Sequence, residues 1–255
     1  MNKIARAFGG KKALICYLMA GDPSLDASAG YILAAQEAGA DMVEIGIPFS
    51  DPIAEGEVIE AASMRALAGG TRLDGVFAMV ESIKDKMRIP MVFMTYLNPV
   101  FVYGYDRFFR KCKDIGISGI IIPDLPFEEQ GEAKEYACKY GVEIITLVAP
   151  TSHDRIARIA KGAEGFIYLV SSMGVTGVRE EIGGGLREIV AGIREVTATP
   201  VAIGFGISTP EQARACAQIS DGAIVGSAIV RIIAEHGEDA GEALGEYIRG
   251  MKAGM

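Results

Sequence analysis

Short apolar runs recur along the chain, and each is followed by a stretch of helical periodicity. The runs are ALICYLMAG (13–21), MVEIGIP (42–48), PMVFMTYLNP (90–99), GIIIPDLP (119–126), EIITLVAP (143–150), FIYLVSS (166–172), PVAIGFGIS (200–208) and GAIVGSAIV (222–230). Most are too continuous for strands with one wet face and match strands buried on both sides. Between them lie amphipathic stretches such as SLDASAGYILAAQEAGA and TPEQARACAQIS. Several open on Ser, Thr or Pro and close near Gly, as helices do. Eight such units in 255 residues predict a single-domain (β/α)8 TIM barrel over 1–255. A doubly wound sheet is the alternative, because local pattern does not show closure. The spacing between strands widens after the second and sixth runs. In a barrel, extra length after a strand lies on the catalytic face.

Composition narrows the function classes. Half of the residues are hydrophobic, enough for one large core, and the net charge is -8. An acidic chain is a poor general binder of nucleic acid, although a few backbone N–H groups still hold a phosphate. Cys16, Cys112, Cys138 and Cys216 form no C-x-x-C pair and have no histidine cluster nearby, so free thiols are expected rather than zinc or disulfides. The opening residues carry too short an apolar run for a signal peptide, and no run approaches a bilayer's span. The expected compartment is the cytoplasm.

The segment VEIGIPFSDPIAEGEVIE (43–60) concentrates five carboxylates, Glu44, Asp51, Glu55, Glu57 and Glu60. Strand alternation puts Val43 and Ile45 on one face and Met42, Glu44 and Gly46 on the other. With Val43 and Ile45 against the helices, Glu44 points into the barrel near its upper end. Such an acid is either paired with a basic residue or chemical. Glycines end the seventh and eighth runs, in AIGFGIS and IVGSAIV, where backbone N–H groups can approach an anion; Ser227 adds a hydroxyl at a helix start. SSMGVTG (171–177) ends the sixth run with Thr176 among glycines. Asp124, between two prolines, reads as a cap or loop anchor. Tyr17, Tyr96 and Tyr168 either wall an aromatic substrate pocket or pack in the core. His153 and His236 lie away from strand ends, which disfavours histidine catalysis.

In order, the segments YLMAGDPS, VEIGIPFSDP, MTYLNPVFVYG, IIPDLPFEE, LVAPTS, YLVSSMGVTG, PVAIGFGIS and DGAIVGSAIV resemble the alpha-chain family of tryptophan synthase over nearly the whole chain. The resemblance implies a lyase that cleaves indole-3-glycerol phosphate to indole and glyceraldehyde 3-phosphate. It implies Glu44 and Glu55 as catalytic carboxylates, with Tyr17, Tyr96, Asp124, Tyr168, Thr176 and Phe205 at the substrate. It places the phosphate on Gly177, Gly206, Gly226 and Ser227. It further implies no cofactor in this chain, pyridoxal phosphate only in a partner beta chain, and an α2β2 heterotetramer. The sequence departs from the family pattern DPxADGPxIQ: Glu55 stands for Asp, Glu57 for Pro and Glu60 for Gln. That departure leaves two alternatives, a weakly active regulatory subunit that activates a beta chain and a free-standing indole-producing lyase. Asp51 reads as a loop organiser, and Glu57 and Glu60 as solvated or partner-facing residues of an acidic loop over 51–60.

Overall fold

The computed structural model describes residues 3–171, 184–204 and 206–255. Eight parallel strands close into a barrel in sequence order. They are β1 (Ala13–Met19), β2 (Met42–Gly46), β3 (Met91–Met94), β4 (Ile117–Ile121), β5 (Glu143–Val148), β6 (Glu164–Val170), β7 (Val201–Gly204) and β8 (Gly222–Val225). The pairing of β1 with β8 removes both sheet edges, so the doubly wound alternative is excluded.

The strands alternate between two apolar layers. Ile15, Met42, Val92, Ile121, Ile145, Phe166, Ala202 and Ile224 point inward and fill the barrel. Leu14, Val43, Ile45, Phe93, Ile120, Ile167, Ile203 and Val225 point outward against the helices. Continuous apolar runs were required because both faces are dry. The lower end is plugged by α1 (Lys3–Ala7) and Phe8. Ile4 reaches Gly119 and Gly165, and Phe8 reaches Gly222, so the glycines make room for the plug.

The outer layer comprises α2 (Leu25–Glu37), α3 (Glu57–Ala68), α4 (Leu73–Ile83), α5 (Leu97–Tyr103), α6 (Tyr105–Asp114), α7 (Gly131–Tyr140), α8 (Ile156–Lys161), α9 (Gly184–Val196), α10 (Pro210–Ile219), α11 (Ser227–His236) and α12 (Gly241–Gly254). The helix starts follow local chemistry. Ser24 accepts from the Ala27 N–H, and Thr209 forms a capping box with Gln212.

Two helices, α3 and α4, occupy the long connection after β2. The expected acidic loop over 51–60 is therefore shorter than the sequence reading had it. Glu57 and Glu60 are exposed residues in the first turn of α3, where a carboxylate complements the positive helix end. The sequence signal was the apolar spacing of Val58, Ile59, Ala62 and Ala66, masked by the density of acids before it.

Candidate active site

The upper mouth of the barrel is built around β2. The register aligns Tyr17 with Glu44, and Glu44 with Val92. Glu44 points into the barrel, as alternation predicted, and is 3% exposed. Its Oε2 has no hydrogen-bond partner among the described residues. Burial pushes its pKa up to about 8, and the neighbouring charge of Glu55 adds to the rise.

Glu55 comes from the segment between β2 and α3. Its Oε2 is also enclosed and unpartnered among the described residues. Burial raises its pKa to about 7, with a further contribution from Glu60. Two carboxyl groups from different segments thus meet at the mouth with their proton affinities moved towards neutrality. Asp51, by contrast, is exposed and accepts from the Ser50 hydroxyl at 2.5 Å.

The segment carrying Glu55 is anchored on three sides. Ser63 of α3 accepts from the Phe49 N–H and donates to the Phe49 carbonyl, both at 2.9 Å. Arg65 of α3 makes a bidentate pair with buried Asp22 after β1, at 2.9 and 2.8 Å. The Tyr96 hydroxyl accepts from the N–H groups of Ile53 and Ala54, at 3.2 and 3.0 Å. Sequence reasoning missed Ser63, Arg65 and Asp22 as supports, since their partners are distant in sequence.

The three tyrosines are all buried. A Cβ on Gly46 would sit 2.2 Å from the Tyr17 hydroxyl oxygen, and one on Gly204 would sit 2.4 Å from that of Tyr168. Glycine at these two positions lets each phenol lie against the neighbouring strand. Burial holds both phenols well above their ordinary pKa, with Glu55 and Glu44 adding at Tyr17 and Glu44 at Tyr168. They are therefore neutral groups beside the carboxyls. Asp124 accepts from the Leu97 N–H at 2.8 Å, so it caps the start of α5, the anchor role open in the sequence.

The described residues expected at the phosphate lie near two helix starts. Around α10, Gln212 Oε1 accepts from the N–H groups of Ser208 and Thr209, and Thr209 accepts from the Gln212 N–H. These donors are occupied. Gly226 precedes α11 without a side-chain cap, and Ser227 opens that helix. Gly226 also lies beside the Tyr17 side chain, which joins this helix end to the carboxyl-bearing mouth. Gly206 is exposed, with φ +78°, the left-handed region that favours glycine. Thr176, Gly177 and Phe205 lie outside the described residues. Among the described residues, no group of three His, Cys, Asp or Glu side chains is placed to hold a metal ion. Among them, too, no helix is long and apolar enough to cross a membrane.

Comparison with known proteins agrees with this geometry. A family model described as "Tryptophan synthase alpha chain" matches residues 5–253. The tryptophan synthase alpha chain of Lacticaseibacillus casei is 47% identical over 255 residues, covering 100% of this chain and 96% of that one. That of Lactiplantibacillus plantarum is 48% identical, covering 100% and 97%. Among solved structures, tryptophan synthase of Mycobacterium tuberculosis aligns with a TM-score of 0.90 at 36% identity, covering 99% of this chain and 98% of that one. A chain of the Pyrococcus furiosus tryptophan synthase α2β2 complex aligns with a TM-score of 0.88 at 37% identity, covering 95% and 99%. The chain belongs to the tryptophan synthase alpha chain family, lyases that act on indole-3-glycerol phosphate.

Proposed function

We propose that Glu44 and Glu55 together carry the retro-aldol cleavage of indole-3-glycerol phosphate. The observation that carries this reading is the pair of buried, unpartnered carboxyl oxygens at one barrel mouth. Glu44, with the higher pKa, is protonated at neutral pH and donates to indole C3. Glu55 accepts a hydrogen bond from the indole N–H as positive charge develops on the ring, without keeping its proton. Glu44, now a carboxylate, removes the proton of the glycerol hydroxyl next to C3. The C3–carbon bond then breaks, its electron pair restores the indole ring, and the hydroxyl carbon becomes the aldehyde. Glu44 ends protonated, so the proton count closes without a co-reactant.

Tyr17 and Tyr168 form neutral walls beside the ring. The phosphate lies on the uncapped start of α11 at Gly226 and Ser227, with Gly206, Gly177, Thr176 and Phe205 completing that end of the substrate. The chemistry asks for no cofactor in this chain. A beta chain docks over the face carrying Ile53, Phe101 and Val102, which are 78%, 64% and 77% exposed, and completes an α2β2 assembly.

Indole release from indole-3-glycerol phosphate, measured across pH with and without a beta chain, tests this reading. The kcat/KM profile is expected to rise through about 7 as Glu55 ionises and to fall beyond about 8 as Glu44 loses its proton. Ser227→Asp is expected to raise KM strongly through repulsion of the phosphate. A flat profile between pH 6 and 9 would remove the carboxyl pair from the chemistry. An unchanged KM in Ser227→Asp would move the phosphate elsewhere, and equal turnover with saturating beta chain would favour the free-standing lyase.

A further inference from the structure

Tyr96 is the most enclosed of the three site tyrosines, at 1% exposure. Its ring packs on Phe49, with centroids 5.3 Å apart. Its backbone stands at the junction of β3 and α5, and both sides of that junction are fixed. Thr95, just before it, donates its N–H to the Ile121 carbonyl at 3.1 Å. Leu97, just after it, donates its N–H to Asp124. The Tyr96 hydroxyl therefore has a rigid base. It spends its acceptor capacity on the N–H groups of Ile53 and Ala54, the two residues before Glu55.

That arrangement matters because the segment around Glu55 otherwise lacks a regular ladder. Ile53 is exposed, and α3 begins only at Glu57. Two adjacent amides held by one buried oxygen fix the local backbone immediately before the carboxylate. Their loss leaves Ser63 and Arg65 to hold the segment, and both act from within α3, beyond Glu55 in the chain.

We propose that Tyr96 is a positioning residue for Glu55, acting through the backbone amides of Ile53 and Ala54 rather than by contact with the indole substrate. The proposal rests on the role of Glu55 given above. A shift of about 1 Å in a reacting group can lower a rate by about 10²-fold, so the clamp acts on kcat while leaving the phosphate and ring contacts in place.

Tyr96→Phe keeps the ring and removes only the hydroxyl, so the fold is expected to survive with an unchanged far-ultraviolet circular dichroism spectrum. In steady-state indole release, kcat is expected to fall by about 10- to 100-fold with KM for indole-3-glycerol phosphate within about twofold. In the Glu55→Gln background, Tyr96→Phe is expected to cost nothing further, because the group it positions is already gone. Amide hydrogen exchange of the substrate-free chain supplies a readout independent of catalysis. The Ile53 and Ala54 amides are expected to exchange about tenfold faster in Tyr96→Phe than in wild type. Unchanged exchange at both amides overturns the clamp. A raised KM at unchanged kcat, or losses that multiply in the double variant, overturns it in favour of direct substrate contact. Full activity of Glu55→Gln alone is the distinct failure: it sinks the catalytic reading of Glu55, while the exchange measurement still decides whether the clamp exists.

Discussion

Asp41 immediately precedes β2 and Glu44 is its central residue; both are buried, at 4% and 3% exposure. Their surroundings are opposite. Asp41, at the lower end, accepts from the Leu14 N–H at 2.8 Å and pairs with Lys11 and Lys252, each at 2.5 Å. It ties the start of the barrel to its last helix. Glu44, further up the strand, faces another acid and has an oxygen with no partner among the described residues. Burial alone thus does not mark a functional carboxylate. The distinguishing feature is whether the fold supplies the compensation that a buried charge requires. At the lower end it does, and the acid stabilises the fold. Further up the strand no described residue partners the Glu44 Oε2, and burial raises the carboxyl's pKa to about 8.

The comparison is broken most directly by neutralising each acid in turn. Glu44→Gln is expected to lower lyase turnover by about 10²-fold or more, because the amide preserves size but cannot transfer a proton. Asp41→Asn is expected to leave turnover within about threefold and to lower the melting temperature instead. The loss is about 1–3 kcal/mol, moderated because Lys11 and Lys252 both retain some access to water. For a chain of this length that is a few degrees. Steady-state indole release and thermal melts on both variants check the pair. Turnover of Glu44→Gln close to wild type would return Glu44 to a structural role.

The same contrast was only partly legible in the sequence. The barrel followed from eight apolar runs because a parallel strand with helices outside must be apolar on both faces. Glu44 stood out because it interrupts such a run. That no described residue partners the Glu44 Oε2 was not legible, since its surroundings come from other strands and from the segment around Glu55. Asp41 gave no signal for the same reason: Lys252 lies 211 positions away. The Tyr96 hydroxyl bonds and the Asp22–Arg65 pair are likewise tertiary facts. Periodicity locates a side chain on a face; it does not say what stands opposite.

A subtler measurement sharpens the contrast through pH. The folded-state pKa of Glu44, about 8, lies above the ordinary glutamate value of about 4.5. The folded chain therefore holds this proton where the unfolded chain has lost it. The contribution of Glu44 to stability is at its most favourable below about 4.5 and declines as pH rises towards about 8. Glu44→Gln removes that decline. The variant is expected to gain on wild type across this window, at no more than about 1.4 kcal/mol per pH unit, and to keep its advantage at pH 9. Denaturant titrations of both proteins at pH 5 and pH 9 measure the difference. A gap that is constant between the two would mean that Glu44 is ionised throughout and compensated by a group not yet identified.

The smallest expected effect concerns the length of Glu55. The family pattern has aspartate at this position, and glutamate adds one methylene, about 1.5 Å of reach. Reverting it looks like a repair, but the segment is not free to follow. The amides of Ile53 and Ala54 are held by Tyr96, and the Ser63–Phe49 bonds close the same segment from the other side. A backbone pinned at both ends with glutamate in place sets a carboxylate position that aspartate cannot reach without moving the anchors. Glu57 stands where the family pattern has proline, and as the first residue of α3 it leaves the backbone angle less constrained than proline would. Glu55→Asp is accordingly expected to lower turnover by about 3- to 10-fold at unchanged KM, less than the loss expected for Glu55→Gln, because a carboxylate remains but stands short of its position. A several-fold rise in turnover on Glu55→Asp would instead mean that glutamate impairs the chemistry. The chain would then fit the regulatory reading, in which a weak lyase chiefly activates its beta chain.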